Sequence, residues 1–174
     1  MKNREPYKQA VDLANSLKRD GLIREYAIGG AVAALLYTEP AYTRDLDIFF
    51  IPQQAGGILD MSDLFEYAQK KGHQVREDLI LAEGTPVQFL SGGALVNEAI
   101  ENAVTVDVGG ESARIFSPEY VVAVALQAGR HKDIDRVQKV WSQAKELINV
   151  TKLKDVLHRY GLSEKFRAAT GELP

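Results

Sequence analysis

The sequence predicts an α/β (α+β) domain, a mixed sheet with flanking helices followed by a C-terminal helical segment. Three observations lead there. Residues 26–28 form a short apolar strand candidate that stops at Gly29-Gly30 and gives way to an Ala/Leu-rich run suited to a helix. Residues 45–50 read Asp-Leu-Asp-Ile-Phe-Phe, a strand pattern carrying two carboxylates. From Ser117-Pro118-Glu119 the pattern turns helical, with Ser117 placed to cap and Pro118 at the first helical position.

Taken in order, residues 5–19 place Ala10, Val11, Leu13, Ala14 and Leu17 on one helical face, and Asp20-Gly21 ends that helix. A strand over 25–28, the glycine turn and a helix over 31–37 follow, broken at Glu39-Pro40. The Asp-bearing strand begins near Thr43, and residues 51–57 read as a loop. A capped helix then runs to about Lys71, with strands at 73–76, 79–82 and 86–90. Pro86 suits an edge strand or a strand start. A helix over 94–103, strands at 104–108 and 113–116, and helices near 120–128, 134–148 and 152–160 complete the chain. The residues from Ala168 on are expected to be loosely held. The division is a core of residues 1–116 and a helical segment of 117–174 packed on it as one structural unit.

With 174 residues, 45% hydrophobic and 26% charged, the chain has ample material for one core. The absence of cysteine excludes disulfides, thiolate metal sites and cysteine nucleophiles. No apolar run approaches the roughly 18 residues of a membrane span, so no membrane partner and a cytoplasmic location are expected. A net charge of -3 argues against a broadly basic surface that coats nucleic acid, while leaving room for a local basic patch. Three scattered histidines make no zinc motif. Tyr67, Tyr120, Phe65 and Trp141 sit in apolar contexts at helical spacing and read as core.

The chemistry concentrates in two stretches. At Gly29-Gly30 the missing Cβ lets the backbone approach a ligand, and the helix start offers N–H groups to an anion. On a strand, Asp45 and Asp47 point to one face. Two carboxylates side by side repel, and a cation between them relieves the repulsion. Mg²⁺, held by one or two carboxylates together with substrate phosphates, meets that need. Thr43 shares the face of Asp45, and Arg44 points to the other face, toward an ion pair or a phosphate. The second stretch is Gly129-Arg130-His131-Lys132-Asp133-Ile134-Asp135-Arg136, a charged helix start.

Gly29-Gly30, a helix and then Asp45-x-Asp47 on a strand resemble the core signature of the polymerase-beta-like nucleotidyltransferase superfamily. Thr43-Arg44-Asp45-Leu46-Asp47 looks most like its small prokaryotic members, including abortive-infection (AbiEii-type) nucleotidyltransferase toxins. The resemblance covers about residues 22–90 and, more loosely, 117–136. It implies a mixed sheet of the nucleotidyltransferase type and Mg²⁺-dependent transfer of a nucleoside monophosphate from an NTP to a hydroxyl on nucleic acid, protein or a small molecule. Asp45 and Asp47 would hold the metal, while Gly29, Gly30, Thr43, Arg44 and Lys132 would contact the nucleotide. Asp133 would pair with Lys132 or Arg130. A toxin-antitoxin or defence role is also implied.

One position departs from that pattern. The superfamily's third carboxylate, which places a second ion and helps deprotonate the acceptor, should come from residues 85–90, and there the chain has Gln88. An amide is neutral and cannot act as a base. Asp107 and Glu83 are the substitutes considered. The alternative function is therefore a catalytically weak binder of nucleotide or of a partner, on the same fold.

Overall fold

The computed structural model describes residues 7–39, 43, 45–53 and 61–174. Helix α1 (Lys8–Arg19) buries Ala10, Val11, Leu13, Ala14 and Leu17 along one stripe, as the 3.6-residue spacing dictates. Strand β1 (Ile23–Ile28) leads into the two glycines and α2 (Gly30–Ala34). This helix is shorter than the expected 31–37, since residues 35–37 close it as turns. Strand β2 (Leu46–Pro52) starts after Asp45 and continues through Ile51 and Pro52, where a loop was expected. Pairing with β1 is what extends it: Ile23 lies opposite Pro52 and Glu25 opposite Ile51.

Helix α3 (Met61–Lys70) and strands β3 (Gln74–Arg76), β4 (Leu79–Ala82) and β5 (Thr85–Leu90) follow. Next come α4 (Ala94–Glu101), β6 (Val104–Val108) and β7 (Glu111–Ile115). Among the described residues the strands form one seven-stranded sheet in the order β3-β4-β5-β2-β1-β7-β6. The pairs β2/β5 and β1/β7 are parallel and the rest antiparallel, so the sheet is mixed as predicted. Strand β5 is interior, which corrects the edge reading of Pro86. The missing N–H is tolerated because pairing with β2 begins only at Val87.

The remainder is helical: α5 (Pro118–Ala128), α6 (His131–Gln143), a 3₁₀ turn (Lys145–Leu147), α7 (Val150–Arg159) and α8 (Ser163–Thr170). Helix α5 is buried along most of its length and packs on α2, α4, α6 and α7. Two carboxylates brace this part, Glu98 joining it to α4 and Glu119 joining α5 to the start of α7. Glu98 of α4 accepts bonds from Tyr120 (2.7 Å), Tyr160 (2.6 Å) and both terminal nitrogens of Arg159 (2.7 and 2.6 Å). Glu119, buried in α5, accepts from the Ser117 hydroxyl and from the Asn149 N–H.

The end of the chain is held more firmly than the sequence suggests. Phe166 of α8 is fully buried and meets Trp141 edge-on at 5.0 Å. Burying such a ring contributes about 2–3 kcal/mol. Glu172 then accepts from Trp141 Nε1 at 2.6 Å and pairs with Lys145. Polar residues such as Glu164 and Lys165 on the outer face hide this anchor from a composition-based reading.

Candidate functional site

The sheet positions the two informative stretches against each other. Strands β1 and β2 are antiparallel neighbours with Ile28 opposite Ile48, and the Gly29 N–H donates to the Asp47 carbonyl at 2.9 Å. Gly30 has φ +57, a left-handed conformation that favours glycine. A Cβ there would overlap Asp47 Oδ2, so the carboxylate packs directly on the glycine backbone. A Cβ on Gly29 would collide with the rings of Phe49 and Phe116, which face each other at 5.1 Å.

Gly30, Asp47, Phe49 and Phe116 open onto a cleft of about 770 Å³, whereas Gly29 is buried and does not line it. Gly30, Thr43, Asp45, Asp47 and Gln88 line it on the sheet side, and Arg130, Lys132, Asp133 and Arg136 line it on the α6 side. Phe49, Leu90, Val96, Phe116 and Val121 form an apolar remainder. Asp45 is exposed just ahead of β2 and Asp47 is partly buried within it, and both reach the same cleft. Burial pushes the Asp47 carboxyl above its ordinary value, assisted by the charge of Asp45 and opposed by Arg136, Lys132 and Arg130. The Thr43 hydroxyl donates to the Asp45 carbonyl at 3.3 Å. Arg44 lies outside the described residues.

Helix α6 supplies the cationic wall. Arg130, Asp133 and Arg136 follow one another at i, i+3 spacing and so share a face. The Asp133 carboxylate is fully buried, with Arg130 Nε at 2.6 Å and Arg136 NH1 at 2.7 Å. Burial works to raise its pKa, and the bond from Arg130 and the charge of Arg136 overcome this, holding it below the usual range. Asp133 thus pairs with Arg130, one of its two expected partners, and with Arg136 as well. Lys132 is exposed on the same wall. The sequence reading missed Arg136 as a cleft residue; the Arg-x-x-Asp-x-x-Arg spacing was the available signal.

Gln88 lies directly opposite Asp47 in the β2/β5 register and lines the cleft. Its Nε2 donates to Asp78 Oδ2 at 3.2 Å, a partner the sequence did not suggest. The two substitutes lie elsewhere. Asp107 is on β6, the far outer strand, separated from β2 by β7 and β1. Glu83 sits in the β4–β5 turn and lines a different hollow beside His73 and Arg76. Tyr67, Tyr120, Phe65 and Trp141 do not line the cleft. Tyr120 and Trp141 are core residues, Phe65 and Tyr67 pack against that core, and the Tyr67 hydroxyl bonds to Asp20.

Among the described residues no group of three or more His, Cys, Asp or Glu side chains could hold a metal. A pair of hard oxygen donors beside a cationic wall fits a Mg²⁺ ion that draws its other ligands from phosphate and water, and not an all-protein cage. The raised Asp47 carboxyl agrees with that donor set, since a bound cation offsets the burial of its charge. Among the described residues no helix is long and apolar enough to cross a membrane.

No protein-family model and no curated protein matches the chain. Solved structures do match by fold. An antigenic nucleotidyltransferase-like protein from Paracoccidioides brasiliensis aligns with a TM-score of 0.53 at 16% identity, over 95% of this chain and 93% of the other. ANT(2'')-Ia, in complex with adenylyl-2''-tobramycin, aligns with a TM-score of 0.50 at 15% identity, over 87% of this chain and 97% of the other. The mixed sheet, its flanking helices and the helical segment after them together make up a nucleotidyltransferase-like fold.

Proposed function

We propose that the chain is a Mg²⁺-dependent nucleotidyltransferase that moves a nucleoside monophosphate from an NTP to a hydroxyl acceptor. The observation that carries this reading is the opposition of two walls in one cleft. Asp45 and Asp47 stand on the sheet side, and Arg130, Lys132 and Arg136 stand on α6. A polyphosphate bridged by a divalent cation is the ligand that satisfies both walls at once. Lys132 and the two arginines would grip phosphate oxygens, with Asp133 holding the guanidinium groups in place. Gly30 and Thr43 would contact the nucleotide, with Gly29 supporting the turn from behind, and Arg44 is assigned to the same set.

Asp45 and Asp47 would hold Mg²⁺, which when bound neutralises charge on the reacting phosphates. The acceptor oxygen bonds to the α-phosphorus, the bond to the bridging oxygen breaks, and pyrophosphate leaves with that electron pair. The hydroxyl proton passes to solvent. The cationic wall stabilises the charge that accumulates on the departing pyrophosphate.

A second reading, binding with little turnover, is favoured by Gln88 at the place next to Asp47, because an amide takes no proton. A place among abortive-infection nucleotidyltransferases, with a toxin or defence role, rests on the Thr43–Asp47 stretch alone. The deciding experiment is a transfer assay with α-labelled NTPs and Mg²⁺ over nucleic-acid, protein and small-molecule acceptors. Labelled product that disappears in Asp45→Asn supports transfer. Mg²⁺-dependent NTP binding without labelled product favours the second reading, and no NTP binding rejects both transfer and nucleotide binding, leaving only the partner-binding form of the alternative.

A further inference from the structure

The sequence departs from the superfamily pattern at Gln88, and the structure supplies that residue with a partner. Strands β3 and β4 form a tight hairpin, with Arg76 opposite Leu79 and only Glu77 and Asp78 between them. Glu77 takes φ +54 there, an uncommon conformation for a residue other than glycine. The hairpin tip places Asp78 beside β5, where its Oδ2 accepts from Gln88 Nε2 at 3.2 Å. A carboxylate only accepts, so the NH₂ of Gln88 must be the group that faces Asp78. The amide is planar and forked. Its Oε1 is therefore directed away from Asp78, on a residue that lines the cleft and has Asp47 as its neighbour on the other side.

We infer that Asp78 is a positioning residue for Gln88, fixing the amide so that Oε1 serves as a third, neutral oxygen donor to the divalent cation held by Asp45 and Asp47. This inference rests on the nucleotidyltransferase reading of the cleft. Asp78 does not itself line the cleft, and it acts through the amide. An outer carboxylate bonded to a metal ligand selects the ligand's orientation and polarises it toward the ion. The position keeps an oxygen donor without adding a third negative charge to a site where one carboxyl is already destabilised by burial.

The test is calorimetric titration of Mg²⁺, with Mn²⁺ as a second probe, in the presence of α,β-methylene ATP. Removal of an outer partner typically costs about 10–100-fold in metal affinity. Asp78→Ala is exposed, so a loss near tenfold is expected. Gln88→Ala should lose a similar factor, and the double variant should lose no more than either single one. Gln88→Glu alone sets two carboxylates against each other and should gain little. Gln88→Glu with Asp78→Asn re-forms a bonded amide–carboxylate pair with the charge turned to the cleft, and should bind the ion more tightly than wild type. The Gln88 side-chain NH₂ resonance, identified by its loss in Gln88→Ala, should shift in Asp78→Ala and when metal and nucleotide are added to wild type. Wild-type affinity in Asp78→Ala, or additive losses in the double variant, would overturn the inference while binding that still depends on Asp47 leaves the function standing. If wild type binds no metal–nucleotide, or Asp47→Asn binds as well as wild type, the function falls and the inference with it.

Discussion

Glu98 and Asp47 are carboxylates in one fold with opposite environments. Glu98 is saturated with donors: Arg159 bonds it twice, and Tyr160 and Tyr120 complete the set, holding its pKa down at about 2. Asp47 is pushed the other way, because burial disfavours its charge and the nearby cations offset this only in part. Both charges are buried to a degree that needs compensation. At Glu98 the protein provides it, joining α4, α5 and α7 into a structural clamp. At Asp47 the compensation is incomplete, and the cations that could supply it stand across a cleft wide enough for a ligand. A carboxylate fully satisfied by its own chain holds the fold, and one left partly unsatisfied at a cleft wall is available for binding.

The largest effect should fall on the unsatisfied side. On the proposed function, Asp45→Asn and Asp47→Asn would each remove a charged ligand from a hard cation, worth several kcal/mol of transition-state stabilisation. At about 1.4 kcal/mol per tenfold, nucleotidyl transfer should drop on the order of 10²–10³-fold in the labelled-NTP assay. Unchanged rates in both variants would remove the carboxylates from the site and erase the contrast with Glu98.

Asp133 belongs to both categories, since it is saturated like Glu98 yet holds two arginines at the cleft. Asp133→Ala should destabilise the fold by about 3 kcal/mol in urea unfolding, the lower part of the range for breaking a buried pair, because Arg130 remains largely exposed. It should also weaken NTP binding, whereas Glu98→Ala should lower stability alone. Equal effects of the two variants on NTP affinity would show that the clamp at Glu98 is not separate from the site.

Two pH profiles sharpen the comparison further. The Glu98 pKa lies below its ordinary 4.5, at about 2, so its stabilisation is complete above 4.5 and is lost as pH falls toward 2. Glu98→Gln should therefore be less stable than wild type at neutral pH by about 1.5–3 kcal/mol, the worth of hydrogen bonds to a charged group. That gap should close in acid. Asp47 is raised, so its ionisation opposes folding above its titration and is neutral below the ordinary 3.8. Metal-free Asp47→Asn should be more stable than wild type at neutral pH, with no difference in strong acid. Thermal melts from pH 2 to 8 read both trends, and a parallel pH dependence of the two variants would contradict the opposite environments.

The local part of the site was legible because its spacing is local. Asp45 and Asp47 reach one cleft from a strand start, as two-residue periodicity requires, and Gln88 stands beside Asp47 as expected of the adjoining strand. Burial, more than repulsion by Asp45, raises the Asp47 carboxyl, and burial of that kind is not visible in the Asp-x-Asp spacing. Contacts between distant segments were not legible. The strands at 73–76 and 79–82 were legible, but not that the turn between them brings Asp78 to Gln88, and nothing in Glu98 announces Arg159, 61 positions away. Helix ends were misplaced for a related reason. Helix α6 ends at Gln143, and the anchoring of α8 depends on Trp141, Phe166 and Glu172 meeting in space, which no window along the chain contains.

The bond from Gly29 N–H to the Asp47 carbonyl, continuous with the β1/β2 register, has a consequence for how this chain can vary. Glycine turn and carboxylate strand are braced across the sheet, so the β1/β2 register sets their separation. A one-residue slip of β2 would turn its carboxylate to the opposite face. The sheet, and not the covalent connection alone, therefore holds the glycine turn against the carboxylate strand.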